Sequence, residues 1–124
     1  METLTGRIKA KARDLGFTKV GIARAEPLTA EGERLREWLG RGYQGTMSWM
    51  ERSAEKRVDP TRVLPGARSV IAVAMNYFVD HHHADEPGTG KISRYAWGDD
   101  YHDILSGRLE SLCGWLITEN PGCG

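Results

Sequence analysis

Apolar residues recur at helical spacing from the start of the chain. Leu4, Ile8, Ala12 and Leu15 share one face, and Arg7, Lys9, Lys11, Arg13 and Asp14 lie off it. Thr3 or Thr5 caps this helix, and Gly16 stands where a left-handed stop belongs. The segment from Phe17 to Ala23 is mostly small or branched and reads as a short strand. A second helix is expected from near Thr29 to Leu39, with Leu28, Leu35, Trp38 and Leu39 on its buried side. Gly40, Gly42 and Gly45 break it into a turn. Met47 and Met50, spaced by three, place a short helix over residues 46–52 with Thr46 as a possible cap.

The charged stretch from Ser53 to Arg62 contains Pro60 and is expected to run irregularly over the surface. Leu64-Pro-Gly-Ala67 is a turn, because proline presets φ and glycine accepts a positive one. The strongest strand signal follows, over residues 69–77. Its near-continuous apolar run, without alternation, predicts a strand covered on both faces. Val79 to Gly90 is a hydrophilic loop, and residues 91–96 form a short extended segment. Asp99 or Asp100 caps a last helix, whose apolar side comprises Tyr101, Ile104, Leu105, Leu109, Leu112 and Leu116.

The order helix, strand, helix, short helix, strand, helix is an α/β pattern with few strands flanked by helices. Two strands make a poor sheet, and an apolar strand at 69–77 calls for further neighbours. The chain is therefore expected to be one incomplete domain, residues 1–124, belonging to a longer protein.

Composition narrows the function classes. With 40% apolar and 27% charged residues in 124, the chain is globular in character. Seventeen basic and seventeen acidic residues cancel, which argues against a stand-alone nucleic-acid binder. No apolar run approaches the about 18 residues that span a bilayer, and the N-terminus has no signal-peptide pattern. A cytoplasmic protein without a membrane partner is expected. Cys113 and Cys123 form neither a CxxC pair nor a disulfide framework, and each reads as a buried or incidental thiol.

Familiar catalytic patterns are absent: there is no GxSxG, HExxH or P-loop, and the glycines of Gly40-Arg-Gly-Tyr-Gln-Gly45 do not lie between a strand and a helix start, so a dinucleotide site is not expected there. His81-His-His83 reads as an exposed loop, because three consecutive side chains converge poorly on one ion. Asp99 and Asp100 read as a helix start rather than an acid/base dyad. The four tryptophans are expected in the core or lining a cleft. Two loops carry more chemistry. Residues 55–62 present Lys56, Arg57 and Arg62, and residues 92–102 combine hydroxyls, a guanidinium, aromatics and a histidine. Such a mixture either contacts a large, partly polar ligand or is solvated surface.

The same stretches carry a family resemblance. Leu15-Gly-Phe17, Val20-Gly-Ile22, Trp38-Leu39, Gly42-Tyr-Gln-Gly-Thr-Met-Ser-Trp-Met50, Lys56-Arg-Val-Asp-Pro60, Leu64-Pro-Gly66 and Ser93-Arg-Tyr-Ala-Trp-Gly-Asp-Asp-Tyr-His102 occur in that order. In this the chain resembles the N-terminal region of epoxyqueuosine reductases, cobalamin-dependent iron–sulfur enzymes of tRNA queuosine synthesis. The resemblance spans essentially the whole chain. It implies an incomplete N-terminal cobalamin-binding domain, similar to nitroreductase-like and reductive-dehalogenase-like folds.

The implied reaction reduces the epoxide of epoxyqueuosine, at the wobble position of a tRNA anticodon loop, to queuosine. Cobalamin in its base-off form would be supplied with electrons by two 4Fe–4S clusters. The resemblance carries cobalamin contacts onto Arg57 and Ser93, places Arg94 and Tyr101 with them among the cofactor-binding residues, and gives Arg94, Tyr101 and His102 a cleft-forming or substrate-facing role. Tyr101 and His102 equally well anchor the last helix. No residue is carried over as catalytic or as a metal ligand: the family's general-acid aspartate and its cluster cysteines are expected beyond Gly124. The chain by itself is expected to be inactive, and a monomer is expected. Two other readings remain: a corrinoid- or flavin-binding reductase domain for another substrate, and a non-catalytic interaction domain.

Overall fold

The computed structural model describes residues 1–122. Its elements are α1 (Leu4–Asp14), β1 (Lys19–Arg24), α2 (Thr29–Gly40), α3 (Ser48–Arg52), α4 (Ala54–Val58), α5 (Pro60–Val63), β2 (Ser69–Ala74) and α6 (Tyr101–Glu119), with a 3-10 turn at Arg94–Ala96 before α6. The strands form a two-stranded sheet, so the α/β class is as expected. Hydrogen bonds from Thr18 N to Ala74 O (2.8 Å) and from Ala25 N to Arg68 O (3.0 Å) fix an antiparallel register. The chain divides into two compact units, Met1–Gly21 with Val73–Gly124, and Ile22–Ala72.

In the first unit α1 and α6 pack together. Thr3 caps α1, its hydroxyl accepting from Gly6 N at 3.1 Å, and Gly16 ends the turn after it with φ +93°. The core of this unit is Ile8, Ala12, Phe17 and Leu112. Arg7 pairs with Glu119 and lies over the Trp115 ring, joining the start of α1 to the end of α6. Arg108 reaches from α6 to Gly16 O at 3.4 Å and to Met75 Sδ at 3.6 Å.

In the second unit α2 packs on α4, and α4 contacts α3 and α5. Gly32 is the buried residue of α2, and Leu28 N donates to Val58 O at 2.7 Å. Residues 53–62, expected to be irregular, form α4 and α5 instead. The signal was an N-cap: the Asp59 carboxylate accepts from Thr61 N at 3.0 Å and from Thr61 Oγ1 at 2.6 Å, with Pro60 at the first helical position.

Other expectations are corrected. The second strand stops at Ala74 and is at most half-buried along its length, not covered on both faces, because the described chain gives it one neighbour. The first strand begins at Lys19, and Phe17 is a core residue ahead of it. Leu28 is exposed, while Leu35, Trp38 and Leu39 are half-buried. On α6 only Leu112 is buried; Leu105 and Leu116 are half-buried, and Tyr101, Ile104 and Leu109 are exposed. Residues 94–96 make a 3-10 turn where an extended segment was expected. Trp49 is exposed rather than in the core. Cys113 is exposed, and Cys123 lies outside the described residues.

Candidate functional site

β2 ends at Ala74, and the chain beyond it carries Tyr77, Phe78 and Val79 to the surface. The Asn76 carboxamide turns this segment by accepting from Phe78 N at 2.7 Å. Opposite, the segment before α6 presents Tyr95 and Trp97, and the first turns of α6 present Tyr101, Ile104 and Leu105. Together with Val73 and Met75 they enclose a cleft of about 610 Å³, with Asn76 and Asp99 as its polar lining. Tyr77, Phe78 and Tyr95 are each more than half exposed, which is costly for aromatic surface without a partner. A cleft of this size with a few polar groups has the form of a small-molecule site. Its walls suit one face of a flat, largely apolar ring system whose polar substituents lie at the edge.

Arg94 organises one wall. Its Nη2 donates to His81 O at 3.1 Å, and its guanidinium lies 4.9 Å from the Phe78 ring centroid and 5.8 Å from that of Trp97. Trp97 is held by its own Nε1 donating to Ile92 O at 2.9 Å. His81 and His83 meet the Trp97 ring edge to face, at 5.9 and 4.9 Å. The histidine run thus forms a strap beside the cleft.

At the start of α6 the Asp100 carboxylate accepts from His102 N at 2.9 Å and contacts His102 Nδ1 at 2.8 Å. The backbone hydrogen bond, then the side-chain one and the His102 charge, hold the Asp100 carboxyl below the usual carboxylate range. Tyr101 stacks on the His102 ring at 4.0 Å and also faces the cleft. Tyr101 thus borders the cleft, while His102 holds the start of the helix and is not among the cleft-lining residues.

The residues singled out from sequence fall into both units. Tyr101 lines the cleft, Arg94 braces its wall, and Ser93 precedes the 3-10 turn, where its carbonyl accepts from Ala96 N at 3.0 Å. Arg57 stands on α4 in the other unit, its Nε donating to Ser53 Oγ at 3.0 Å while Ser53 Oγ donates to Trp49 O at 2.7 Å. Sequence reasoning missed Tyr77, Phe78 and Val79. Tyr77 was read as the end of the apolar strand, Val79 as the start of a hydrophilic loop, and Phe78 fell between the two.

Residues 57–123 match the family described as epoxyqueuosine reductase QueG, DUF1730. The chain belongs to the epoxyqueuosine reductase family. It is 48% identical to an epoxyqueuosine reductase of Gloeobacter violaceus over 124 residues, 99% of this chain and 38% of the relative. It is 45% identical to one of Atelocyanobacterium thalassa over 118 residues, 94% of this chain and 38% of the relative. A crystal structure of an epoxyqueuosine reductase superposes with a TM-score of 0.80 at 30% identity, covering 96% of this chain and 32% of that one. A second, holding an epoxyqueuosine-modified tRNA-Tyr stem loop, gives 0.80 at 30%, over 95% and 32%. The chain thus spans about 38% of the length of these curated epoxyqueuosine reductases.

Proposed function

We propose that this chain supplies the N-terminal part of a cobalamin-binding domain in an epoxyqueuosine reductase acting on the anticodon loop of tRNA in the cytoplasm. The observation that carries the reading is the aromatic cleft between the end of β2 and α6, built largely from the 57–123 region that matches the family. The net reaction takes two electrons and two protons, converts the epoxide to an alkene and releases its oxygen as water. Cobalamin, when bound, would supply the reducing chemistry at the epoxide carbon, with 4Fe–4S clusters of the longer protein as the electron source.

The chain's own residues bind and orient. Tyr77, Phe78, Tyr95, Trp97 and Tyr101 would cover an apolar ring face and exclude water from it. Asn76 and Ser93 offer a carboxamide and a hydroxyl to the amide groups of the cofactor; Arg57, on α4 of the other unit, carries a guanidinium of the kind that takes a phosphate. Arg94 would act by keeping Phe78 and Trp97 in place. No catalytic acid is assigned to this chain, and we expect a monomer.

The activity is tested with a chimaera in which this chain replaces the matching region of the Gloeobacter violaceus relative. Turnover of epoxyqueuosine-containing tRNA is expected. A corrinoid-loaded chimaera that leaves such tRNA unchanged would favour a reductase domain for another substrate. Corrinoid titration of the same protein carrying Tyr101→Ala or Arg57→Ala is expected to show weaker binding. Affinity equal to the unsubstituted protein would remove that residue from the site.

A further inference from the structure

The turn at residues 40–45 has no part in the reading above, and it shapes a second concavity, within Ile22–Ala72. Arg34, Trp38 and Arg41 lie on one side of α2 and its last turn, at intervals of four and three. Gly42, at φ +71°, reverses the chain, and Tyr43 N donates back to Trp38 O at 3.2 Å. The Tyr43 ring therefore comes to rest beside Arg41, whose guanidinium is 5.9 Å from the ring centroid and 3.5 Å from the hydroxyl. The result is a notch of about 250 Å³ lined by Arg34, Glu37, Trp38, Arg41 and Tyr43.

Its chemistry is specific. Tyr43 is 59% exposed, a rigid ring presented largely to solvent. Glu37 pairs with Arg41 and fixes its fork. Arg34 has no carboxylate within ion-pair distance among the described residues, so the notch keeps a positive charge. An acidic peptide would meet the guanidinium and leave the ring bare. An apolar partner would meet the ring and leave the charge unpaired. A nucleotide satisfies both, with a planar base against the rings and a phosphate on the arginine.

We propose that the Arg34–Trp38–Arg41–Tyr43 notch is an RNA-binding subsite that takes one nucleotide of the tRNA substrate. The inference rests on the proposed function, in which tRNA is the substrate, and adds a contact surface outside the cleft. Base stacking on such a platform tolerates any sequence, and the phosphate contact makes binding salt-dependent.

The test measures binding of a labelled tRNA anticodon stem loop by fluorescence anisotropy, for the 124-residue chain and its Arg34→Gln/Tyr43→Leu variant. Far-UV circular dichroism establishes that the variant keeps its helices. The double substitution is expected to raise Kd about 10- to 100-fold and to flatten the dependence of log K on log salt by about 0.7–0.9 for the lost phosphate contact. Lys91→Gln removes one cation elsewhere and is expected to change Kd less than about twofold. Equal affinity of wild type and double variant overturns the proposal. So does an absence of binding by the wild type, or equal affinity for an abasic oligonucleotide, which would mean simple charge attraction. Competition by polyglutamate as effective as by RNA would point to an acidic protein partner and overturn it as well. If the chimaera turns over tRNA while the notch fails these tests, the notch assignment alone falls. If the chimaera leaves tRNA unchanged, the proposed function falls.

Discussion

Asp100 and His102 are joined twice: one carboxylate oxygen of Asp100 accepts from the His102 backbone N–H at 2.9 Å and contacts the ring Nδ1 at 2.8 Å. The start of α6, with Tyr101 between them, is thereby fixed where it borders the cleft. Because these contacts hold the Asp100 carboxyl below its usual range, its contribution to stability is present above about pH 4, the ordinary value. It is lost as pH falls through the lowered folded-state value. Urea midpoints followed from pH 6 to 2.5 should decline in the acid limb for wild type, and less steeply for Asp100→Asn. Parallel acid limbs would show that the pair contributes no linkage.

Gly16→Ala should destabilise the protein by about 1–3 kcal/mol in urea unfolding. Two causes act together. The residue has φ +93°, and a methyl group there runs into the Arg108 guanidinium, which is held by Gly16 O and Met75 Sδ. Adding Arg108→Ala to Gly16→Ala relieves the crowding and leaves the backbone strain. The two substitutions should therefore be non-additive by a measurable part of the total.

Gly32→Ala should do the opposite. A Cβ at this position would meet the Val58 side chain at 3.5 Å, ordinary packing distance, and the backbone is helical. The gain in helix propensity, about 0.5–1 kcal/mol, should appear as a higher urea midpoint with unchanged slope. A lower midpoint would show that α2 and α4 need the closer approach.

Arg94→Ala removes one hydrogen bond and two guanidinium–ring contacts, together worth about 1–2 kcal/mol locally. The strap at His81–His83 should open about tenfold more often, read as faster proteolytic cleavage between residues 79 and 90 with global stability little changed. Arg94→Lys, which keeps the charge but not the planar fork, should restore part of the protection. Cleavage at the wild-type rate in Arg94→Ala would show that the strap is held by other contacts.

Capping residues made α1 and α6 legible. Thr3, Gly16 and Asp100 declare themselves because a side-chain acceptor or a positive φ is needed at those positions whatever surrounds them. Asp59-Pro60 carries the same signal and was overlooked because charge on every side suggested an irregular surface. Burial was less legible. Leu28 and the residues of β2 are apolar, yet how far each is covered depends on what packs beside it rather than on its own pattern. The cleft was half visible: Tyr95, Trp97 and Tyr101 stood out in a mixed loop, while Tyr77 passed for strand and Phe78 drew no notice. Neither could the sequence show that Arg94 turns inward to brace aromatic rings, since a guanidinium on a loop serves as readily for a ligand as for a neighbour.

A ribbon of two strands has as many open borders as strands. Along its outer border β2 sets a line of backbone donors and acceptors within Ser69-Val-Ile-Ala-Val-Ala74, a segment without charge, proline or glycine. Such a segment is a template for strand addition, from a neighbouring copy as readily as from a proper continuation of the sheet. Handling of the chain in concentrated solution therefore becomes a race between folding and cross-chain pairing, and a lysine at outward-facing Val70 is where a gatekeeper would slow the second.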